Sequence, residues 1–387
     1  MKNTLTRAAV ALLGAGALAA TSGIATAGKL ERGNRNIAPI FERGLYAEIS
    51  TAFIMPDASA VDNAGNDFGS FYNEDTDFGG AIKIDWSDRL SSAYIIDEPF
   101  GADIRYSGAP FPVGPGPAAG FSPNGTFAKL NVISITSLTR YKFDQNWSVY
   151  GGTRSQRADF EIGLPFFPAP GYVASTNADW GFGFVGGVAW ENPAIRALFS
   201  LTYHSEIEHT WKITERSAAG VFNQAKFTNQ TPQGIDFDFR FPIAQTTLLY
   251  GNVHWADFSE TALILPSLPD DPVLEYNGDN WAVKLGIAQV MRPNWILAAD
   301  VTYEWESGED TTPFRTADGE FAIGVSSRHQ YQGANVTFGA QYKFLNDNDD
   351  NPDFLGQGLS YSDQSAFTAG VKFGFNFVPQ APQPSLK

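Results

Sequence analysis

Apolar and polar residues alternate one by one along much of the chain, which is the pattern of β-strands with one dry and one wet face. In residues 367–377, Phe, Ala and Val occupy the odd positions, and Thr, Gly, Lys and Asn occupy the even ones. The same period of two occurs in residues 78–86, 180–190, 195–214, 235–241, 281–291, 295–306 and 335–344. The pattern therefore predicts an all-β protein.

Short and long connections alternate between the predicted strands. Residues 85–89 and 143–146 are short connections, whereas residues 98–125 and 216–234 are long ones. Bacterial transmembrane barrels have this rhythm, with tight turns at the periplasmic end and longer loops outside. The spacing predicts a transmembrane antiparallel β-barrel of about 14 strands, an even number that places both chain ends on the periplasmic side.

Tryptophans occur near the ends of the dry faces, as in the aromatic girdles of membrane barrels. The residues predicted to form these girdles are Trp86, Trp180, Trp190, Trp211, Trp281, Trp295 and Trp305. The opposite faces are charged or rich in glycine, which suits a wet lumen. A soluble β-sandwich also alternates but needs a dry face toward its core, so the barrel is favoured.

The N-terminus has the features of a secretory signal peptide: basic Lys2 and Arg7, an apolar stretch over residues 8–20, and small residues at positions 25–27. The apolar stretch is shorter than the ~20 residues that span a bilayer. We therefore expect cleavage and a final location in the outer membrane of a Gram-negative bacterium. The predicted divisions are a signal peptide (1–27), a short periplasmic or hatch-like segment (28–44), the barrel (45–377) and a Pro-rich tail (378–387).

Charge and composition exclude several classes of function. The 387 residues include 26 Lys and Arg against 42 Asp and Glu, and the net charge of −16 leaves no basic footprint for nucleic acid. Only four histidines are present and no Gly-x-Ser-x-Gly motif occurs, so we expect no enzyme activity and no catalytic residue. The acidic run at residues 346–351 lacks the Gly and distal Glu of a calcium loop, so neither a metal nor a cofactor is expected.

Apolar residues are concentrated in the long predicted outer loops. Exposed apolar patches commonly mark binding sites, so these residues predict a hydrophobic small-molecule ligand. The candidate ligand-binding residues of the loops are Phe100, Phe111, Phe121, Phe166, Phe167 and Tyr172, with Tyr106, Leu164, Leu263, Leu265 and Leu268 nearby. The alternative is that these residues cover one another and close the barrel.

Charged residues on the polar faces are expected to point into the lumen. If the period of two holds through residues 195–214, the inward set includes Glu206, Glu208 and Lys212. Lys212 and Arg240 are the candidates to pair with a ligand carboxylate through charge-assisted hydrogen bonds.

Six short stretches, in order and spacing, resemble the FadL family of outer-membrane transporters for long-chain fatty acids and aromatic hydrocarbons. They are 45–50 (LYAEIS), 98–101 (EPFG), 202–207 (TYHSEI), 237–242 (FDFRFP), 255–259 (WADFS) and 317–319 (ADG). The resemblance implies a monomeric barrel that captures an apolar ligand at its outer loops, holds it inside and releases it sideways past an N-terminal hatch. The hatch predicted here is shorter than is common in the family.

The C-terminal strand carries a second resemblance. Residues 368–375 (TAGVKFGF) are similar to the signal that outer-membrane assembly machinery reads, with Phe373, Phe375 and Phe377 as its aromatic residues. The other expected partners are outer-membrane lipid and lipopolysaccharide.

The predicted function is uptake of hydrophobic compounds across the outer membrane. The alternative is a general diffusion porin for small polar solutes, because a polar lumen suits both. Porins of that kind usually have 16–18 strands and an open aqueous channel, so strand count and conductance distinguish the two.

Overall fold

Fourteen antiparallel strands close into a barrel in the computed structural model of the chain. The structure describes residues 30–32, 35–62, 67–107, 124–165, 168–259, 261–269, 273–276, 278–306, 313–346, 348–349 and 359–377. The expected signal peptide and Pro-rich tail lie outside these residues, as do Phe111, Phe121, Phe166 and Phe167.

The barrel strands are numbered in chain order and joined edge to edge around the ring. They are β1 (Tyr46–Asp62), β2 (Asp75–Asp85), β3 (Leu90–Asp97), β4 (Phe127–Lys142), β5 (Trp147–Leu164), β6 (Asp179–Asn192), β7 (Ala197–His204), β8 (Gln233–Ala244), β9 (Thr247–Asp257), β10 (Asp279–Arg292), β11 (Trp295–Glu304), β12 (Glu320–Tyr331), β13 (Ala334–Leu345) and β14 (Leu359–Asn376). Tyr46 of β1 pairs with Lys83 of β2 on one side and with Asn376 of β14 on the other, so the ring is closed. The predicted class and strand count are confirmed.

Connections at the two ends of the barrel differ in length. At one end, called the turn end, β8 joins β9 through Gln245 and Thr246 alone, and β12 joins β13 through Gln332 and Gly333. Gln332 and Gly333 both have positive φ (44° and 86°), the backbone conformation that a tight hairpin needs. The long connections lie at the opposite end, called the loop end.

The outer surface of the barrel is apolar, and charged side chains are buried in the interior. Phe182, Phe53 and Val325 are more than half exposed on the outside, whereas Lys83 and Asp236 are almost completely buried inside. Trp86, Trp180, Trp281 and Trp305 are also exposed on the outside, as predicted for a girdle. Both faces follow from strict alternation along each strand.

The prediction of one continuous strand through residues 195–214 is wrong. β7 ends at His204, and a second strand begins at Ile207 after two residues outside any strand. Odd positions face outward in β7, where Leu201 is half exposed, but inward in the second strand, where Trp211 is buried. The inward orientation predicted for Glu206, Glu208 and Lys212 and the girdle position predicted for Trp211 are therefore wrong.

Short strands at the loop end extend the wall beyond the ring. Tyr172–Thr176 pairs with β5 and with Ile207–Ser217, which in turn pairs with Gly220–Thr231. We call Ile207–Ser217 and Gly220–Thr231 the loop-end hairpin. The remaining short strands are Asp67–Ser70, Gly101–Arg105, Ala262–Leu263, Leu274–Glu275 and Asn348–Asp349.

The N-terminal segment, residues 30–32 and 35–44, runs inside the barrel. It contains a 3-10 helix at Ala38–Phe41, and Ile40 and Phe41 of this helix are buried. The Phe41 ring meets the Tyr150 ring edge-on, with centroids 5.6 Å apart, and the Arg140 guanidinium lies 4.8 Å from the Phe41 centroid. The part of the chain that the structure describes has no helix long and apolar enough to cross a membrane.

Candidate functional site

An apolar cavity of about 100 Å³ lies inside the loop end of the barrel. Its walls come from β4 and β5, the loop-end hairpin, the N-terminal segment and three long connections. The lining residues are Leu30, Phe100, Ala102, Ile104, Ala128, Lys129, Leu130, Val132, Ala158, Phe160, Ile162, His209, Trp211, Phe227, Asn229, Gln230, Thr231, Pro232, Phe258, Thr261, Leu263, Leu274 and Phe314. Most of these side chains are aliphatic or aromatic, so the cavity suits an apolar ligand.

Three aromatic rings form one side of the cavity. Phe160 meets Trp211 edge-on at 5.5 Å and Phe227 edge-on at 5.7 Å, while Trp211 and Phe227 stack at 5.7 Å. The Trp211 indole N–H donates to the carbonyl oxygen of Ala158 at 2.9 Å. The polar atom of the indole is therefore satisfied, and the rings offer faces and edges to an aromatic guest.

His209 adds a polar but uncharged side chain to this wall. Its ring stacks on Trp211 at 5.1 Å, its Nε2 lies 3.0 Å from Gln156 Oε1, and its Nδ1 lies 3.7 Å from Asp179 Oδ2. Burial lowers the pKa of His209 despite the opposing effect of Asp179. The imidazole is therefore neutral at neutral pH. The ammonium of Lys129, another lining residue, is paired with Asp103 at 3.3 Å.

The floor of the cavity is polar beneath its apolar surface. Leu30 and Pro232 line the cavity, and the carbonyl oxygen of Pro232 accepts a hydrogen bond from Arg35 at 2.8 Å. Arg35 also pairs with Glu31 at 3.0 Å, and Glu31 Oε2 lies 3.1 Å from His254 Nε2.

His254 continues this network across the lumen. Its Nδ1 lies 2.9 Å from Asp236 Oδ1, and Asp236 Oδ2 lies 3.4 Å from His204 Nε2. Arg154 reaches the same network, with one guanidinium nitrogen 3.5 Å from His204 Nδ1 and the other 2.7 Å from Asp97 Oδ2. A band of buried charged and polar groups thus separates the apolar cavity from the turn end.

The barrel wall is interrupted beside the cavity. The ladder between β2 and β3 runs only from the Gly80–Ile96 pair to the turn end. Toward the loop end, Tyr72 again pairs with Ile104, and between these two pairings the Phe78 N–H donates to the Glu98 carboxylate at 3.2 Å. The described residues 75–79 therefore have a strand partner in β1 alone.

Arg32 of the N-terminal segment lies behind this interruption. Its backbone N–H donates to the Pro99 carbonyl oxygen at 2.8 Å, and its guanidinium pairs with Asp75 and, at 3.9 Å, with Glu98. The neighbouring Glu31 forms a bridge to Phe100. The N-terminal segment therefore covers the interruption from inside.

The structure places the sequence-predicted candidates in different environments. Phe100 lines the cavity, whereas Tyr172 is buried beside it and donates its hydroxyl to Glu215 at 2.6 Å. Lys212 is exposed on the outer side of the loop-end hairpin, and Arg240 lies in β8 near the turn end. Neither cation lines the cavity.

The described apolar loop residues largely cover one another, as the alternative interpretation expected. The buried members of one apolar cluster at the loop end include Phe100, Tyr106, Leu164, Tyr172, Leu265 and Leu268. The cavity is the space that this cluster leaves open, so closing the barrel and lining a site are roles of the same residues.

Leu30, Phe160, Trp211 and Phe227 line the cavity and were not among the candidates from the sequence. Phe160 looks like an ordinary member of an alternating strand, and Trp211 looks like a girdle residue. Phe227 falls in residues 216–234, which were predicted to be a long connection but contain the strand Gly220–Thr231. The sequence signal that could have located these residues is the pair at positions 205 and 206. Both residues are polar, and two polar residues in a row mark the end of β7.

Comparison with solved structures identifies the same fold in a FadL homologue and in two toluene transporters. A Pseudomonas aeruginosa FadL homologue shares 14% identity with a TM-score of 0.67, covering 88% of this chain and 92% of its own. The P. putida toluene transporter TodX shares 11% identity with a TM-score of 0.63, covering 88% and 92%. The Ralstonia pickettii toluene transporter TbuX shares 12% identity with a TM-score of 0.59, covering 88% and 91%.

These identities show a shared fold. No family model and no curated protein sequence matches the chain.

Proposed function

We propose that this protein takes up small apolar compounds across a bacterial outer membrane, with single-ring aromatic hydrocarbons as its preferred ligands. The observation that carries the proposal is the aromatic-walled cavity inside the loop end of a barrel whose outer surface is apolar. A soluble protein rarely exposes so large an apolar surface. A membrane barrel places it against lipid.

The orientation follows from the connections. Short turns belong to the periplasmic side of such barrels and long loops to the outside. The cavity at the loop end then lies close to the external medium, where a hydrophobic compound is first met. The charged network around Glu31 and His254 lies on the periplasmic side of the cavity.

The size of the cavity favours a small ring over a long acyl chain. A dry apolar protein cavity of about 150 Å³ binds benzene, and the cavity here is of similar magnitude, about 100 Å³. Among the described lining residues, Lys129 is the one lysine or arginine, and its ammonium pairs with Asp103 instead of being free for a fatty-acid carboxylate. TodX and TbuX, which share the fold, are toluene transporters by name.

The interrupted wall between β2 and β3 is the proposed route from the cavity into the membrane. An apolar compound gains little from entering the charged lumen below, since groups such as Glu31 and Asp236 would lose partners. Passage past residues 75–79 leads instead toward the apolar outer surface. Displacement of Arg32 from Glu98 would open this route.

Other predicted properties remain part of the proposal. These are an outer-membrane location, a monomeric state, contact with lipopolysaccharide, and recognition of Phe373, Phe375 and Phe377 by the assembly machinery. The three phenylalanines are exposed on the outer surface, where another protein can reach them. Pairing of Lys212 or Arg240 with a ligand carboxylate also stays a prediction.

Single-channel recording of the refolded protein in planar bilayers, with and without toluene, tests the proposal. We expect conductance near zero, because the N-terminal segment and the loop-end cluster occupy the lumen. Saturable toluene binding should accompany it. A large conductance that toluene does not change would overturn the proposal in favour of the diffusion porin.

A further inference from the structure

A buried carboxylate at the loop end is held by four neutral hydrogen-bond donors. Glu215 of the loop-end hairpin has no exposed surface. Its Oε1 accepts from the Tyr172 hydroxyl at 2.6 Å and from the Ser267 backbone N–H at 3.1 Å. Its Oε2 accepts from the Ser267 hydroxyl at 2.7 Å and from the Asn223 side-chain amide. Such charge-assisted bonds are stronger than bonds between neutral groups.

Two of these four bonds come from a connection that covers the cavity. Residues 261–269, which we call the cover loop, lie between β9 and β10. Thr261 and Leu263 line the cavity, and Leu265 and Leu268 are buried in the same apolar cluster as Trp211. The cover loop therefore forms part of the cavity wall on the side of the external medium.

The base and the tip of the cover loop are held differently. At the base, Ala262 and Leu263 pair with Glu275 and Leu274 through the backbone, and Asn229 donates to the Ala262 carbonyl oxygen at 3.0 Å. The tip is a single turn, closed by the Leu268 N–H and the Leu265 carbonyl oxygen at 2.8 Å. Its polar attachment to the hairpin is made by Ser267, which bonds Glu215.

We propose that Glu215 is the latch of a lid, and that release of Ser267 from Glu215 lets hydrophobic ligands reach and leave the cavity. This inference rests on the proposed function and adds the route of access. Glu215 is a positioning residue, because it holds the lid and does not line the cavity.

The chemistry of the tip makes it able to open. When the Ser267 bonds are exchanged for bonds to water, the described contacts that still attach the tip to the rest of the protein are the apolar contacts of Leu265 and Leu268. An arriving apolar compound can replace those contacts. In this proposal the latch closes over both the empty and the filled cavity, so weakening it speeds arrival and departure equally and leaves Kd nearly unchanged.

The test is 19F NMR of 4-fluorotoluene exchange with the full-length protein in bilayer nanodiscs. Ser267→Ala removes one charge-assisted bond, so we expect both rates to rise about tenfold with Kd within about twofold of wild type. Glu215→Gln should move both rates in the same direction. Ser259→Ala is the matched control, because Ser259 is exposed and its hydroxyl bonds Asp257 instead of Glu215, and its rates should match wild type.

A cross-link tests the same inference in the opposite direction. The chain has no cysteine, and the Asn223 amide nitrogen lies 3.4 Å from the Ser267 hydroxyl. Oxidised Asn223→Cys/Ser267→Cys should exchange ligand at least tenfold more slowly, with recovery on reduction.

Unchanged rates in Ser267→Ala, together with normal binding and only a lower Tm, would overturn the latch and leave the proposed function intact. Absence of saturable binding in the wild type would instead contradict the proposed function itself.

Discussion

The Nε2 atom of His254 lies 3.1 Å from Oε2 of Glu31 and so fastens the N-terminal segment to strand β9 from within the barrel. Both side chains are nearly completely buried, with 7% and 5% exposed. Arg35, on the same segment, adds a bond to the carbonyl oxygen of Pro232. The segment is therefore held in the lumen by directional polar contacts as well as by packing of Phe41.

Glu31→Gln should loosen this attachment. Removal of one partner from a buried ion pair costs about 3–5 kcal/mol of unfolding free energy, and Gln cannot match the charge of Arg35. We expect a loss of about 3 kcal/mol in denaturant unfolding of the protein in lipid, together with measurable single-channel conductance. Glu208→Gln, on the exposed face of the loop-end hairpin, should change stability by less than about 0.5 kcal/mol.

Ala158→Trp should fill the cavity. Ala158 is buried at its wall, and its carbonyl oxygen receives the Trp211 indole N–H. We expect toluene affinity to fall at least tenfold, measured by 19F NMR with 4-fluorotoluene, at a stability cost of about 1–3 kcal/mol. Thr153→Trp places the same side chain on the exposed outer face of β5 and should bind as wild type. Equal affinity in the two variants would contradict the assignment of this cavity.

Phe227→Ala should enlarge the cavity by removing one ring of the aromatic wall. Truncation of a buried Phe lowers the free energy of unfolding by about 3–5 kcal/mol because a void remains. A larger apolar ligand can fill this void and recover part of the lost free energy. We expect the variant to bind naphthalene more tightly than toluene, as measured by competition against 4-fluorotoluene. Phe222→Ala, at a half-exposed position of the same strand, should leave the preference unchanged.

Acid should weaken both stability and ligand binding through His209. Burial lowers the pKa of His209 in the folded protein, so the unfolded chain, with a pKa near 6.5, takes up the proton first. The stabilising contribution is present above about pH 6.5 and is lost as pH falls below it. We expect weaker toluene binding at pH 5 than at pH 8. His209→Asn should reduce the pH dependence of toluene binding. If the variant keeps the same pH dependence, a group other than His209 causes it.

Phe375→Ser should slow insertion of the protein into the outer membrane. Phe375 is exposed on the outer surface of β14, within the stretch that resembles the assembly signal. Phe338→Ser on the neighbouring strand β13 removes a ring of comparable exposure outside that stretch. The measurement is the fraction of heat-modifiable protein in isolated outer membranes, and similar losses in the two variants would contradict recognition of Phe375.

The barrel could be predicted from the sequence because an apolar outer surface and polar groups inside impose a period of two on the strands of the ring. Residues 367–377 illustrate this, since the phenylalanines of this stretch of β14 are exposed on the outside and Thr368 and Lys372 are buried inside. The short turns could also be predicted, because the two strands of a tight hairpin are separated by only a few residues in the sequence.

The cavity could not be predicted in the same way. Alternation separates two faces but does not say which face is inside, so the same pattern that points Leu201 outward points Trp211 inward after the break at residues 205 and 206. Phe160, Trp211 and Phe227 come from three different strands and meet only through the pairing of the loop-end hairpin with Tyr172–Thr176. Glu31 holds the N-terminal segment in place through its contact with His254. The two residues are far apart in the sequence, so no local pattern predicts this contact.

The pairing of β1 with β14 sets the order in which this molecule can be built. These are the first and the last strands of the ring, so the wall stays open along one seam until the end of the chain is in place. Residues 30–32 and 35–44 precede β1 and lie within the finished ring. While the seam is open, this segment can take its place in the interior from the side as well as from the turn end. Closure of the seam by β14 then leaves the turn end as the way in, so the last strand of the wall also limits the time in which the lumen can be filled freely.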